Sequence, residues 1–373
     1  MANPFEKCKI GNIEVKNRFI RSATHESMAN NGHVSENIIN MYKDLSQGGT
    51  GLIITGYLSF ASSDNHSPST MRISDDEFIP GLADLTKAAH EFGTKVVAQI
   101  NHSGSQLFSK PKNKVLAPSD VVDPVNGIKP EPFSKDEINT FIKEFGQASL
   151  RAKKADFDGI QIHGAHSYLL SKFLSPKYNT RNDEYGGSIE NNTKIIIQII
   201  KEVKKQCGND FPVWIKLNGS DFEENGITDK DFYKICEIIS KNGIDAIEVS
   251  SGVPTGEFGP SRTFKHKAYN FDFAKQIAAD LKADTILVGG LREIDLIENI
   301  LKDSEIKGIS LARALVREPD LIKRWEEGNT EPAKCIACNG CYNPKGTKCF
   351  FTLNDEEKKF QKKVMKLMGF IKE

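Results

Sequence analysis

The stretch TILVGGLREIDLIENILKDSEIKGISLAR, residues 285–313, contains the repeating pattern that indicates the architecture. A short run rich in β-branched residues at 285–288 is followed by a helical pattern at 292–301 and by a second apolar run at 308–311. Such runs are typical of strands buried in a parallel sheet, which need a helical crossover between them. The stretch therefore predicts a strand–helix–strand unit with two glycines at the end of its first strand.

The same alternation of short strands and longer helices recurs along almost the whole chain. The predicted strands are 18–23, 51–56, 95–100, 159–163, 213–217, 246–250, 285–288 and 308–311. The predicted helices are 34–46, 78–92, 134–155, 188–206, 229–241, 267–281, 292–301 and 318–327. Eight such pairs fit a closed (β/α)8 TIM barrel of the α/β class better than an open doubly wound sheet, which is the alternative.

Three segments lie outside this pattern. Residues 1–17 are predicted to form a hairpin that closes the bottom of the barrel, and the proline-rich residues 101–133 a long excursion after the third strand. A cysteine-rich segment and a C-terminal helix follow the last barrel helix. We expect two parts, a barrel at 1–330 and a cysteine-rich extension at 331–373.

Composition excludes several classes of protein. Fifty basic and fifty acidic side chains cancel, which disfavours nucleic acid and anionic surfaces as partners. No apolar run approaches the roughly 18 residues of a membrane span, and the first fifteen residues lack the apolar core of a secretory signal. Seven cysteines in a chain of 373 residues do not suggest a disulfide framework. We expect a cytoplasmic homo-oligomer that binds neither nucleic acid nor membranes.

Polar or glycine residues stand at the carboxyl end of each predicted strand, where the active sites of such barrels lie. The candidates are Ser22, Ala23, Thr24 and His25 after strand one, Gly56 after strand two, Gln99 on strand three, His163 and His166 on and after strand four, Lys216 on strand five, Gly289 and Gly290 after strand seven, and Ala312 and Arg313 after strand eight. A purely structural barrel would not need them, so the pattern predicts a ligand site.

The last two strand ends predict a phosphate site. Glycines at 289 and 290 allow backbone N–H groups to approach an anion closely, and Arg313 adds a bidentate cation. The alternative is a tight turn beside a surface arginine. Lys216, in the apolar strand at 213–217, needs a partner if it is buried. It is either a Schiff-base lysine of a barrel lyase or a fixed charge facing an anionic cofactor.

His163, His166 and Tyr168 lie within six positions after the fourth strand. A zinc site is one interpretation of the two histidines, although the pattern offers no third ligand. They are otherwise donors that hold a substrate carbonyl oxygen, with Tyr168 delivering a proton to a neighbouring carbon. A purely structural tyrosine remains the alternative.

Four stretches carry a family resemblance: NRFIRSATHES (17–27), VAQINHSG (97–104), FDGIQIHGAHSYLLSKFLSPKYNTRNDEYGGSIEN (157–191), and VGGLRE (288–293) continued by ISLARALVREPDLI (309–322). Together they resemble the Old Yellow Enzyme family of FMN-dependent NAD(P)H oxidoreductases. The likeness extends over residues 4–327. The resemblance independently implies a TIM barrel with FMN lying across its mouth.

The resemblance also implies roles for the strand-end residues. Ser22, Ala23, Thr24 and His25 would line the flavin, Gly56 would pass beneath it and Gln99 would bond its pyrimidine edge. Lys216 would face the N1/C2 carbonyl side, and Gly289, Gly290, Ala312 and Arg313 would form the phosphate end. His163 and His166 would anchor the oxygen of an enone or enal. Tyr168 would protonate the α-carbon after hydride moves from flavin N5 to the β-carbon, with NAD(P)H as electron donor.

Four positions depart from the family's usual pattern. Lys216 stands where many members carry arginine, Ser167 replaces the final glycine of H-G-A-H-G, Asn192 replaces the arginine of E-N-R, and Ala312 replaces the common glycine before Arg313. None of these removes a proposed catalytic group.

Four cysteines crowd into fifteen residues: Cys335, Cys338, Cys341 and Cys349. They resemble the cluster-binding segment of the longer family members related to 2,4-dienoyl-CoA reductase, with a shorter gap before the last cysteine. A [4Fe–4S] cluster, a zinc ion and free thiols all remain open. Two other functions therefore stay in view: a flavin and iron–sulfur electron-transfer protein without alkene turnover, and a Schiff-base lyase using Lys216.

Overall fold

The structure, a computed structural model, describes residues 3–107, 110–263, 265–369 and 371. The strands in chain order are β1 (Cys8–Ile10), β2 (Ile13–Val15), β3 (Phe19–Arg21), β4 (Leu52–Ile54), β5 (Leu58–Ser59), β6 (Lys95–Asn101), β7 (Leu116–Ala117), β8 (Glu131–Pro132), β9 (Gly159–Gly164), β10 (Val213–Asn218), β11 (Ala246–Ser250), β12 (Asp284–Val288) and β13 (Gly308–Leu311). Each of the eight predicted barrel strands is present.

The sheet closes on itself. Its parallel strands follow the order β3, β4, β6, β9, β10, β11, β12 and β13, and β13 pairs again with β3 through Ile309 and Phe19. Pairing of β4 with β6 closes the ring on the other side, and β5 extends along the end of β6. The (β/α)8 barrel is therefore confirmed, and the open doubly wound sheet is excluded.

The helices of the barrel cover its outside because they present apolar faces to it, and the last helix belongs to the C-terminal extension. They are α1 (Glu36–Gln47), α2 (Ile79–His90), α3 (Lys135–Lys154), α4 (Leu169–Leu174), α5 (Ile189–Cys207), α6 (Asp229–Ser240), α7 (Phe271–Asp280), α8 (Ile294–Lys302), α9 (Arg313–Arg317), α10 (Leu321–Glu326) and α11 (Asp355–Leu367). Capping boxes begin α3 at Ser134 and α6 at Thr228, where a side-chain oxygen accepts from the N3 backbone N–H. No helix of the described residues is long and apolar enough to cross a membrane.

The predicted helix at 318–327 is wrong in its first residues. A short helix, α9, ends at Arg317, and α10 begins only at Leu321. Pro319 separates them, since proline lacks an N–H and disfavours helical backbone at the residue before it. Glu318 accordingly has φ −135° and ψ 88°.

The predicted N-terminal hairpin closes the bottom of the barrel. Strands β1 and β2 pair antiparallel, and the buried Ile10 and Ile13 pack against the fully buried Trp214. The indole Nε1 of Trp214 donates to the carbonyl oxygen of Gly11 at 2.9 Å. The bottom is thereby sealed, and open space lies at the opposite end.

The residues after α10 cover part of the barrel mouth. The backbone N–H of Thr347 donates to the carbonyl of Glu26 at 2.9 Å, and that of Ala333 donates to the carbonyl of Arg292 at 2.8 Å. Helix α11 buries Gln361 and Met365, while Leu367 is 88% exposed. The extension therefore contributes a wall to the space above the barrel.

Candidate active site

A cavity of about 690 Å³ occupies the carboxyl ends of the barrel strands. The predicted site residues that line it are Ser22, Ala23, Thr24, His25, Gln99, His163, His166, Tyr168, Lys216, Gly289, Gly290, Ala312 and Arg313. Gly56 is not among the lining residues; its backbone N–H donates to Glu26 at 2.7 Å, and the next residue, Tyr57, reaches the cavity. The site residues that sequence analysis selected are thus brought together, with Gly56 just outside.

His163, His166 and Tyr168 form one cluster. The imidazole centroids of the two histidines lie 5.5 Å apart, edge to face, and the ring of Tyr168 lies 4.9 Å from that of His163. His166 Nε2 is 2.7 Å from the hydroxyl of Ser250, whereas His163 Nδ1 is buried without a hydrogen-bond partner among the described residues. Both histidines also line the cavity, so each imidazole is placed to meet a ligand bound there.

Both imidazoles are neutral at physiological pH. Burial lowers the pKa of His166 to about 3, and the positive charge of Lys216 adds to the effect. Burial, followed by His166 and Lys216, holds the pKa of His163 well below its ordinary value. No three His, Cys, Asp or Glu side chains of the described chain could together hold a metal ion. The pair therefore forms hydrogen-bonding groups, and the structure does not support zinc ligation.

Tyr168 immediately precedes α4, at its N-cap. Burial raises its pKa to about 12, Tyr342 and Asp64 add to the shift, and a hydrogen bond with Gln106 opposes it. The phenol is therefore protonated at neutral pH and has a proton to give. The backbone of His166 and Ser167 has φ of 60° and 65°, so both residues adopt the left-handed backbone that favours glycine.

Sequence analysis missed the polar layer below the cavity. Lys216 Nζ donates to the hydroxyl of Ser22 at 2.9 Å and lies 3.4 Å from Glu248 Oε2. Glu248 also accepts from Ser22, Ser310 and Gln161. The available signal was Glu248, the single charged residue in the otherwise apolar strand AIEVS. Residues at alternate positions of a barrel strand face the interior, so a charge in such a strand points to polar partners inside the barrel.

The ends of β12 and β13 form the predicted glycine-rich corner. Gly289 and Gly290 have φ of 122° and 69°, and a Cβ at Gly290 would lie 2.3 Å from the carbonyl oxygen of His266. Arg313 donates to the carbonyl of Arg262 and to the side-chain oxygen of Asn339, both at 2.7 Å. Ala312 has φ −109° and ψ −90°, which is outside the left-handed region that favours glycine. This end of the cavity is positively charged.

All four C-terminal cysteines line a second, small cavity of about 20 Å³ beside Arg313. Cys335 and Cys341 also line the large cavity. In the residues that the structure describes, no three thiols are placed to ligate a single metal ion. The cysteines are thus neighbours of one another and of the proposed phosphate end.

Comparison with known proteins identifies the family. Residues 4–331 match the NADH:flavin oxidoreductase / NADH oxidase family, and the chain belongs to it. It is 32% identical over 349 residues to an NADH oxidase of Thermoanaerobacter brockii, covering 91% of this chain and 53% of that protein. It is 32% identical over 320 residues to an NADPH dehydrogenase of Clostridium acetobutylicum, covering 85% of this chain and 93% of the relative.

A solved structure shares the fold. The Old Yellow Enzyme homologue from Zymomonas mobilis superimposes with a TM-score of 0.74 at 24% identity, covering 88% of this chain and 94% of the other. This chain spans about half the length of the NADH oxidase and nearly the full length of the Zymomonas protein. The Old Yellow Enzyme barrel is therefore the fold of this chain, whose family is one of oxidoreductases.

Proposed function

We propose that this protein is an FMN-dependent NAD(P)H oxidoreductase that reduces the C=C bond of α,β-unsaturated carbonyl compounds. The observation that carries the proposal is the cluster of His163, His166 and Tyr168, all three of which line the cavity. Two neutral N–H donors beside a protonated phenol suit a substrate that needs its carbonyl polarised and its α-carbon protonated.

The residues around the cavity fit FMN. The glycine corner and Arg313 suit a phosphate, and the amide of Gln99, which lines the cavity, suits the edge of a heterocycle. The Lys216 ammonium is available to the part of a flavin on which negative charge builds. When bound, FMN supplies hydride transfer between NAD(P)H and the substrate.

The side chains of this chain would do the remaining work. His163 would donate an N–H to the carbonyl oxygen, and His166, oriented by Ser250, would share that role. Tyr168 would give its phenolic proton to the α-carbon. The adjacent ring of Tyr57, with its centroid 5.9 Å from that of Tyr168, supports the phenol from the side.

The rate of enone reduction is expected to be flat between about pH 5 and pH 9. The pKa of His166, about 3, and the lowered pKa of His163 keep both imidazoles neutral throughout this range. The pKa of Tyr168, about 12, keeps its proton in place. Oxidation of the reduced flavin by cyclohexenone, followed by stopped flow, checks this. A single-proton titration centred near pH 6.5 would contradict it.

Lys216 does not suit a Schiff-base lyase. A lysine nucleophile attacks as the free amine. Here Nζ donates to Ser22 and is paired with the carboxylate of Glu248, so the nitrogen is engaged and is not free to attack a carbonyl. The geometry therefore does not favour a Schiff-base lyase.

An electron-transfer role is the second candidate, and the position of the cysteines favours it. Cys335 and Cys341 border both the small cavity and the large one, so a redox group there would neighbour the flavin site. Four cysteine thiolates within fifteen residues are the ligand set that a [4Fe–4S] cluster takes.

Metal analysis of anaerobically purified protein tests this second candidate. We expect about four irons and four inorganic sulfides per chain, and Cys341→Ser to abolish them. The buried Cys236→Ser variant is the matched control, because Cys236 lies in α6, within the outer helical layer. One zinc per chain, or no metal at all, would contradict the cluster while leaving the FMN proposal untouched.

A further inference from the structure

A buried ion pair lies on the floor of the cavity, and the proposed reaction has no use for its negative member. Lys216 and Glu248 occupy matched positions on the adjacent strands β10 and β11. Their charged atoms are 3.4 Å apart, and their side chains are 5% and 0% exposed. Lys216 lines the cavity, whereas Glu248 lies behind it and is not among the lining residues.

Each oxygen of Glu248 is held by a donor. Oε1 accepts from the hydroxyls of Ser22 at 2.8 Å and Ser310 at 2.7 Å, and Oε2 accepts from Gln161 Nε2 at 2.9 Å. Burial alone would raise the pKa of Glu248, but Lys216 and these donors outweigh it and lower the pKa. The carboxylate is therefore ionised at neutral pH, and these hydrogen bonds fix its position.

The two charges are tied together and largely cancel. The Ser22 hydroxyl accepts from Lys216 and donates to Glu248, so it bridges the pair. A lone ammonium beneath a flavin would stabilise the negative charge that reduction adds, because opposite charges attract strongly where water is excluded. The carboxylate of Glu248 offsets most of that attraction at any point whose distance from Lys216 exceeds the 3.4 Å between the two charges.

We propose that Glu248 is a positioning residue that holds Lys216 and offsets its charge, so that the bound flavin has a lower reduction potential than Lys216 alone would give. The inference rests on the proposed function, because it requires bound FMN. Its consequence for that function is that the reduced cofactor gives up electrons to an alkene more readily.

Glu248→Gln tests the inference. Glutamine keeps the size of the side chain. When the amide groups of Gln161 and Gln99 flip, Gln161 accepts a hydrogen bond from the new amide and donates one to Gln99. The equilibrium for two-electron reduction of bound FMN is expected to shift at least tenfold toward the reduced form, which is about 30 mV. Reference dyes of known potential report it without turnover. Ser310→Ala, which removes a donor and keeps the charge, is the control and is expected to shift the equilibrium less than twofold.

A second variant covers the case in which Glu248→Gln does not fold. Replacing a buried ion pair by apolar side chains of similar size is often neutral or stabilising, so Lys216→Met combined with Glu248→Met is expected to accumulate. Because Glu248 already offsets much of the charge of Lys216, we expect this double variant to shift the reduction equilibrium by less than tenfold. A larger fall in potential would show that Lys216 acts without an effective counter-charge.

The outcomes separate the two proposals. A wild-type chain that binds no FMN sinks the proposed function. A chain that binds FMN, but whose Glu248→Gln variant has an unchanged or lower potential, overturns only the role of Glu248.

Discussion

Tyr168→Phe is expected to slow the reduction of an enone by about 10²- to 10⁴-fold, the usual contribution of a positioned general acid. The substitution removes only the hydroxyl, so the ring contact with His163 stays in place. Reduction of the flavin by NADPH takes no proton from this phenol and is expected to change less than twofold. Stopped-flow measurement of the two half-reactions separates these effects.

Tyr178→Phe is the matched control. Tyr178 is also buried, with its pKa raised to about 12 by burial, but its hydroxyl faces Glu223 at 3.3 Å and it is not among the residues that line the cavity. Both half-reactions are expected to survive this change. Equal losses of the two half-reactions in Tyr168→Phe would show that the residue supports the structure and is not the proton donor.

Gly290→Ala is expected to weaken FMN binding about a hundredfold. The left-handed backbone at φ 69° costs an L-residue roughly 1–2 kcal/mol, and the new Cβ would lie 2.3 Å from the backbone oxygen of His266. The corner must then shift, which displaces N–H donors worth about 1.5 kcal/mol or more to an anion. The loss of two such donors, about 3 kcal/mol, corresponds to about two powers of ten in Kd.

Fluorescence titration of apoprotein with FMN measures this effect. Gly259→Ala is the control, because a Cβ there meets no atom within 4 Å and its φ is not among the left-handed ones. An unchanged Kd in Gly290→Ala would place the phosphate elsewhere. Riboflavin, which lacks the phosphate, is expected to bind the wild type and Gly290→Ala with similar affinity.

The barrel could be predicted because each buried parallel strand is encoded by a short, continuous run of apolar residues. All eight strands were found to within three residues at either end, since hydrophobic periodicity is a short-range signal. Helix α4 was missed because six residues are too few to show a helical period. The break at Pro319 was a local signal that the sequence analysis did not weigh.

The convergence of the site residues could also be predicted, because the carboxyl ends of barrel strands meet at one face. The partners of those residues could not. Glu248 reaches Lys216 and Ser22 across the barrel interior, and which inward side chains touch depends on register and tilt. The wall formed by the extension depends on contacts such as Thr347 with Glu26, which join opposite ends of the chain.

The absorption spectrum of freshly purified protein tests the central claim most directly. A flavin spectrum with stoichiometric FMN is expected, bleached by NADPH or NADH under anaerobic conditions and restored by an enone. A colourless chain that also refuses added FMN would contradict the account, because the glycine corner, the lysine floor and the histidine–tyrosine cluster would then lack the group between them.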